Sequence, residues 1–410
     1  MRLTARIDQA AGGLAADAAL YGLSAVFALV TALTSTLLPH RAWGAVAAWA
    51  YLAAFLVVVA QLLLRRPAFR AGLAWAVWGG ATLLPLVIQA VQRAGGRTDR
   101  AQEEVLVAEH MGERLAQSGT PYLGRDAISA LPPGEQLLGY APYQPGMSIF
   151  GLPRAVLGDG WITDARIWFA VATAAALIMA VRLLPGPAVR AVQVVTVFPV
   201  CALTLATGGD DLPVLVLCLL ALACCAAGRF TAAGFAVGAA AALKLFAFPV
   251  LAVLAVLAWR TGHLRRFLPG ALGLPVLTLL PVALVDADAF LENVFRFPLG
   301  HGVVTSPAQS PFPGYLIAQS VPGGRVVAAG VLVAAGLAIA FLLVRRPPRT
   351  AASAALFCGY GLLAAILLMP TTRFGYVLYP AAFLIWAAAL GFSQSTATRP
   401  PRSDPALYRL

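Results

Sequence analysis

Charge is scarce in this chain of 410 residues. Only 11% of it is Asp, Glu, Lys or Arg, against about 25% in soluble domains. Lysine is almost missing: Lys244 stands alone among 29 basic residues, the rest being arginine. So little charge excludes an ordinary soluble enzyme, which needs a charged surface, and a disordered chain, which needs charge in place of apolar side chains. Cysteine is sparse too. Cys201, Cys218, Cys224, Cys225 and Cys358 all sit inside apolar runs, where they read as small core residues rather than a disulfide framework or zinc site. No Gly-rich phosphate loop, His-rich zinc helix, nucleophile elbow or Ca²⁺ loop occurs.

Apolar sequence fills the space. Hydrophobic residues make up 60% of the chain and the mean hydropathy is +0.82. Runs long enough to span a bilayer, or nearly so, cover about 16–38, 43–63, 71–92, 165–184, 191–207, 212–228, 231–259, 267–285, 324–344, 351–369 and 375–393. The pattern predicts an all-α integral membrane protein of about 11–12 transmembrane or re-entrant helices. The first run is too long for a signal-peptide core and reads as a retained anchor. A net charge of +12 raises nucleic acid as a partner. The basic residues are scattered as small clusters between apolar runs, which fits membrane flanks instead. Membrane lipids are the expected surroundings. The preference for Arg, Ala, Gly and Pro fits a GC-rich bacterial genome, hence a bacterial plasma membrane.

The basic clusters also orient the chain. Arg2 and Arg6, Arg65, Arg66 and Arg70, Arg182 and Arg190, Arg229, Arg260, Arg265 and Arg266, Arg345, Arg346 and Arg349, and Arg399, Arg402 and Arg409 fall on one side, expected to be cytoplasmic. This works only if residues 231–259 begin and end there. That run would be about 43 Å long as one helix, so two short helices broken near Lys244–Pro249 are expected. Irregular backbone at membrane depth is tolerated where protein or a cavity surrounds it. Both termini are then cytoplasmic. Most acidic residues gather on the opposite, outer side, in 93–164, 208–211 and 286–292.

The expected organisation is three spans in 1–92, an extracytoplasmic catalytic loop in 93–164, a bundle in 165–393 with an outer loop at 286–322, and a tail in 394–410. Within the large loop, residues 102–117 read as a helix capped by Asp99 and Gln102. On a 100° wheel Glu104 shares a face with Ala108, Met111 and Leu115, while Glu109 and Glu113 project to the other side. The Tyr- and Pro-rich segment 139–158 suits a membrane interface.

Four features can carry chemistry, each with a plainer reading. Glu104, with Glu103, could take a proton from an acceptor hydroxyl; acids also favour a helix N-terminus. Asp210 and Asp211 could bind a metal or sugar hydroxyls, or could cap a helix. Lys244 lies at membrane depth, where an ionisable group costs about 2.5–3.5 kcal/mol, unless it snorkels to the interface. Arg373 could hold a phosphate or anchor the interface beside Tyr376 and Tyr379. No third ligand accompanies the two aspartates, so no metal and no cofactor is expected.

Together these pieces resemble the polytopic GT-C glycosyltransferases, and among them glycosyltransferase family 87. Glu104 falls at the family's acidic position, usually Asp, ahead of Gly119-Thr120-Pro121-Tyr122. Tyr143-Gln144-Pro145 matches a Tyr-x-Pro segment. Gly208-Gly209-Asp210-Asp211 stands at a turn where the family has Gly-Gln, without the Gln. Gly234, Gly238, Lys244 and Pro249 match a Gly-rich short helix ending in Lys and Pro. The likeness covers about 95–260 well and the last third only loosely. It implies an inverting transferase that moves a hexose, mannose in family terms, from a polyprenyl-phosphate donor to an envelope glycolipid or polysaccharide acceptor on the outer face. Glu104 would be the base; Arg373, Lys244, Asp210, Asp211 and Tyr143 would bind donor phosphate or substrate, with Arg125, Arg296 and His301 in reserve. A polytopic transporter or flippase is the competing expectation, though it would favour internal repeats and buried charges along a midplane path. A non-catalytic envelope assembly protein is a third.

Overall fold

A computed structural model describes residues 10–66, 68–184 and 188–397. Arg2, Arg6, Arg399, Arg402, Arg409 and most of the tail lie outside the described residues. Those described form helices and connections, with one isolated bridge, between Gln309 and Thr372. The reason is local: apolar runs rich in Ala and Leu favour helix, and helices satisfy their own backbone groups where water is absent. The chain is an all-α, multi-pass membrane protein.

In chain order the main helices are α1 (Leu14–Thr34), α2 (Leu38–Leu63), α3 (Arg70–Ala94), α4 (Glu103–Ser118), α5 (Ala165–Leu183), α6 (Val189–Thr196), α7 (Pro199–Thr207), α8 (Asp211–Ala226), α9 (Phe230–Leu243), α10 (Ala247–Arg260), α11 (Leu264–Leu291), α12 (Gly324–Arg345), α13 (Ala351–Leu368) and α14 (Leu378–Ala397). Among the described residues eight helices are long and apolar enough to cross a membrane. The run at 191–207 is not one straight helix: α6 and α7 meet at 44°, because Pro199 cannot continue the ladder of α6. The segment from 286 is not a plain loop either. Helical turns continue through Glu292–His301 in the wider π form, after an extended Asp286 (φ −156°, ψ 90°).

The helices α8, α9 and α10 decide where the site lies. They hold 16, 14 and 14 residues, or about 24, 21 and 21 Å. Each falls short of a hydrocarbon core of about 30 Å. The N-terminus of α8, the C-terminus of α9 and the N-terminus of α10 meet at one end. Arg260, at the other end of α10, lines the same cavity as Arg345 at the end of the 22-residue α12. Helix α10 therefore stops about 12 Å short of the start of α12, and the meeting end is recessed. Between α9 and α10 the chain breaks at Lys244–Phe246. Almost every residue of α8 is buried, which makes it the axis of the bundle. Helix α9 lies tight against α11 because both are stripped of side chains at the crossing. A Cβ on Gly238 would stand 2.1 Å from the Gly270 carbonyl oxygen, and one on Gly234 equally close to that of Phe267. Such small-residue crossings let backbones touch where lipid supplies no hydrophobic drive.

Helix α4 and the 139–158 segment cover the recessed end. They are tied to it by backbone, since the Gln144 N–H donates to the Leu243 carbonyl at 3.1 Å. Gly112 and Gly151 bring α4 into backbone contact with this segment; a Cβ on Gly151 would lie 2.1 Å from the Ala108 carbonyl oxygen.

Candidate active site

The break after α9 leaves Lys244 extended (φ −154°, ψ 144°), and its side chain runs to the turn that starts α8. Its Nζ donates to Asp210 Oδ2 at 2.7 Å and Asp211 Oδ1 at 2.6 Å. The Tyr379 hydroxyl donates to the same Asp211 oxygen at 2.8 Å. The ammonium also lies 5.1 Å from the Tyr143 ring centre and 5.7 Å from that of Tyr376, within range of cation–π attraction. Phe246 stacks on Tyr379 and tilts against Tyr376. Asp210, Asp211, Lys244, Tyr143 and Tyr379 are all buried. Two carboxylates that share one ammonium and accept a tyrosine hydroxyl form a compensated cluster, a brace with its hydrogen bonds largely spent.

Beside it stands a second pair, more open to its surroundings. Arg373 Nη1 is ion-paired with Glu104 Oε1. Arg373 keeps 34% of its side-chain exposure and Glu104 13%, so both can meet a ligand. The pair adjoins the first cluster. A Cβ on Gly208 would lie 3.7 Å from Glu104 Oε2, two residues before Asp210, and Arg373 leads through a short turn to Tyr376. Gln102 fixes this contact: its Oε1 accepts from the Thr207 hydroxyl at 2.8 Å and its N–H donates to the Thr207 carbonyl at 3.0 Å. Arg373 is positioned by the loop bridge between Gln309 and Thr372, with the Ser310 N–H donating to the Thr372 carbonyl at 2.9 Å.

Several expectations need correcting. Asp99 and Gln102 do not cap α4 with their side chains. Asp99 pairs with Arg97 and Arg100, and Gln102 spends its side chain on Thr207. On the side of α4 away from Glu104, Glu109 is covered by other elements. It is 2% exposed and accepts from Arg93 at 2.7 and 2.6 Å, while Arg154 lies 3.4 Å away. Arg93 also reaches Asp164 at 3.1 Å, and Asp164 takes both arms of Arg166 at 2.8 Å. Burial raises the Asp164 carboxyl, but Arg166 and Arg93 outweigh it and hold the group down to about 2. The reserves Arg125 and Arg296 converge on Glu292, at 3.2 and 3.5 Å, and Arg125 also donates to the His301 carbonyl at 2.8 Å. Glu292 is wholly buried and accepts from the Tyr140 hydroxyl at 2.9 Å. That set clamps the 286–304 segment to the covering loop. The contacts of Tyr379 with Asp211 and of Gln102 with Thr207 were not revealed by hydropathy and spacing; a hydroxyl at the apolar start of α14 was the visible signal for the first. Among the described residues no three His, Cys, Asp or Glu side chains converge as a metal ion requires.

Residues 140–370, more than half of the chain, match the family model of glycosyltransferase family 87. The match holds Tyr143, Asp210, Asp211 and Lys244, and it begins later and runs farther than the 95–260 expected from motifs. Glu104 and Arg373 fall outside it. No curated protein and no solved structure matches the chain significantly.

Proposed function

The chain belongs to glycosyltransferase family 87, and from this membership we propose that it transfers a hexose, mannose by family likeness, from a polyprenyl-phosphate donor to an envelope glycolipid or polysaccharide. The loop-bearing end faces outward in this reading and both termini face the cytoplasm. A membrane glycosyltransferase needs a base for the acceptor and a cation for the leaving group. The observation that carries the reading is the Glu104–Arg373 pair, the more open ion pair at the recessed end, beside the compensated Lys244 cluster. A transporter is disfavoured by the family match.

Charge arithmetic supports a lipid phosphate donor. A polyprenyl phosphosugar is a phosphodiester with one negative charge, which a single guanidinium can meet bidentately. A nucleotide diphosphosugar brings more charge than Arg373 alone can balance, and Lys244 is already occupied by two carboxylates.

The acceptor oxygen attacks the anomeric carbon as the bond to the phosphate oxygen breaks, with inversion. Glu104 takes the hydroxyl proton, and the pair of electrons from the broken bond leaves on the phosphate, which Arg373 stabilises as its charge grows. An in-line displacement puts the base and the leaving group on opposite faces of that carbon. Glu104 and Arg373 therefore cannot stay paired in the reacting complex. The donor phosphate competes for Arg373 and draws it off, which frees Glu104 only when donor is present. Lys244, Asp210, Asp211 and Tyr379 hold the turn beside which the donor sugar would sit.

The test is transfer by purified protein in lipid vesicles, with radiolabelled polyprenyl-phosphate mannose and, separately, GDP-mannose, against a glycolipid acceptor fraction. Label should pass from the lipid-linked donor alone. Transfer from the nucleotide sugar without a lipid-linked intermediate would overturn the donor assignment.

A further inference from the structure

At the far end of the bundle lies a second site that the transfer reaction does not use. A cavity of about 480 Å³ is lined by Arg260, Val344, Arg345, Arg346, Pro347 and Arg349. It joins the C-terminus of α10, the C-terminus of α12 and the turn into α13. The 18 residues of α13 separate it from Thr372 and Arg373 by about 27 Å, so it is distinct from the candidate active site.

We infer that this cavity binds the phosphate headgroup of an anionic phospholipid. Four arginines line one space, and among the described residues no carboxylate pairs with any of them. Two arginines of this end do have such a partner, since Arg70 and Arg190 both bind the buried Asp17, at 2.6 and 2.5 Å; what sets the four apart from the other unpaired arginines of this end is that they line one cavity. Four like charges around an open volume repel one another, and an anion relieves that. Positive flanks of membrane spans are common, but a flank is diffuse and this set is built. Pro347 and Pro348 restrict the turn. The Arg349 N–H donates to Ser353 Oγ at 3.1 Å, within a capping box formed by Thr350 and Ser353 that fixes the start of α13. Arg345 is held over the Phe341 ring, 5.1 Å from its centre.

The surroundings select a lipid over a free phosphate. Val344 lines the cavity and is 78% exposed, and Phe341 and Trp259 beside it are also exposed. Trp259 precedes Arg260 and Phe341 lies one turn before Arg345, so exposed apolar and aromatic side chains suited to acyl chains and to the interface adjoin the cationic residues in sequence. Basic pockets between spans are a recurring way to hold lipid phosphates.

The experiment uses purified full-length protein and native mass spectrometry with three probes: tetraoleoyl cardiolipin, dioleoyl phosphatidylcholine and inorganic phosphate. Each arginine near an anionic headgroup is worth about fivefold in affinity. The R345Q/R346Q/R349Q variant should therefore lose roughly 100-fold in cardiolipin affinity. R265Q/R266Q removes two exposed arginines of the same end that do not line the cavity, and should leave it unchanged. If the triple variant fails to purify as a monodisperse protein, R260Q on the other helix should still lose about fivefold. The proposal is overturned if phosphatidylcholine is held as tightly, if R265Q/R266Q weakens cardiolipin as much as the triple variant does, or if millimolar inorganic phosphate displaces it.

Discussion

Replacing Glu109 by Gln should destabilise the protein, although the helical wheel alone says only that it projects away from the Glu104 face. Glu109 is one of two buried carboxylates that face three arginines, Arg93, Arg154 and Arg166. Neutralising it leaves Asp164 to balance all three, helped only by the exposed Asp159, which lies 2.7 Å from Arg154. Breaking a buried pair from one side costs about 3–5 kcal/mol. Glutamine keeps an acceptor for the Ala165 N–H, now 3.1 Å from Glu109, so the lower end, about 3 kcal/mol, is expected. Asp164 reports the same field. Its carboxyl falls from 3.8 to about 2, worth roughly 2–3 kcal/mol. Because that folded value is depressed, the stabilisation is complete above pH of about 4 and is lost as pH falls towards 2. The assay is reversible unfolding in mixed detergent micelles, comparing Glu109→Gln with Glu103→Gln, whose side chain is exposed. Equal stability of the two variants would refute the reasoning. Loss of stability should bring loss of turnover, since α4 also carries Glu104.

Three further outcomes are expected. Lys244→Ala leaves Asp210 and Asp211 buried side by side without their cation, so folded yield from membranes should fall sharply; normal yield and turnover would show that the cluster is not a brace. Gly238→Leu should force α9 from α11, because its Cβ would already sit 2.1 Å from the Gly270 oxygen, and should cut yield, whereas Gly273→Ala, which meets nothing within 4 Å, should not. Cysteines placed at Ser118 and Thr261, both exposed while the native thiols are buried, should label from opposite sides in intact cells; labelling from one side would remove the proposed topology.

The all-helical membrane class was legible because apolar runs of bilayer length have few other solutions. The family was legible from spaced Gly, Pro, Tyr and acidic residues, though motif order misjudged which stretch matches. What hydropathy could not show is how helices end and bend. Pro199 bends the 191–207 run, while the 286 region continues as a π turn because its side chains, Glu292 and Asn293, find buried partners in the covering loop. Asn293 accepts from the Ala141 N–H at 2.8 Å. The partners of Glu109 were hidden for the same reason: a helix wheel knows one helix, and Glu109 is buried against Arg93 and Arg154 from other parts of the chain. The Arg373–Glu104 contact joins residues 269 positions apart. Spacing named both residues but could not state that they touch.

The measurement that tests the account most directly separates donor binding from turnover in Glu104→Gln. A positioned base is worth about 10²–10⁴ in rate, so kcat should fall by that range. Arg373, released from its partner, should bind donor phosphate no more weakly and up to about fivefold more tightly, the worth of a partly exposed ion pair. Arg373→Ala should instead weaken donor binding and turnover together. If Glu104→Gln turned over at the parent rate, or lost donor affinity as Arg373→Ala does, Glu104 would not be a base held in reserve by Arg373, and the proposed mechanism would fail.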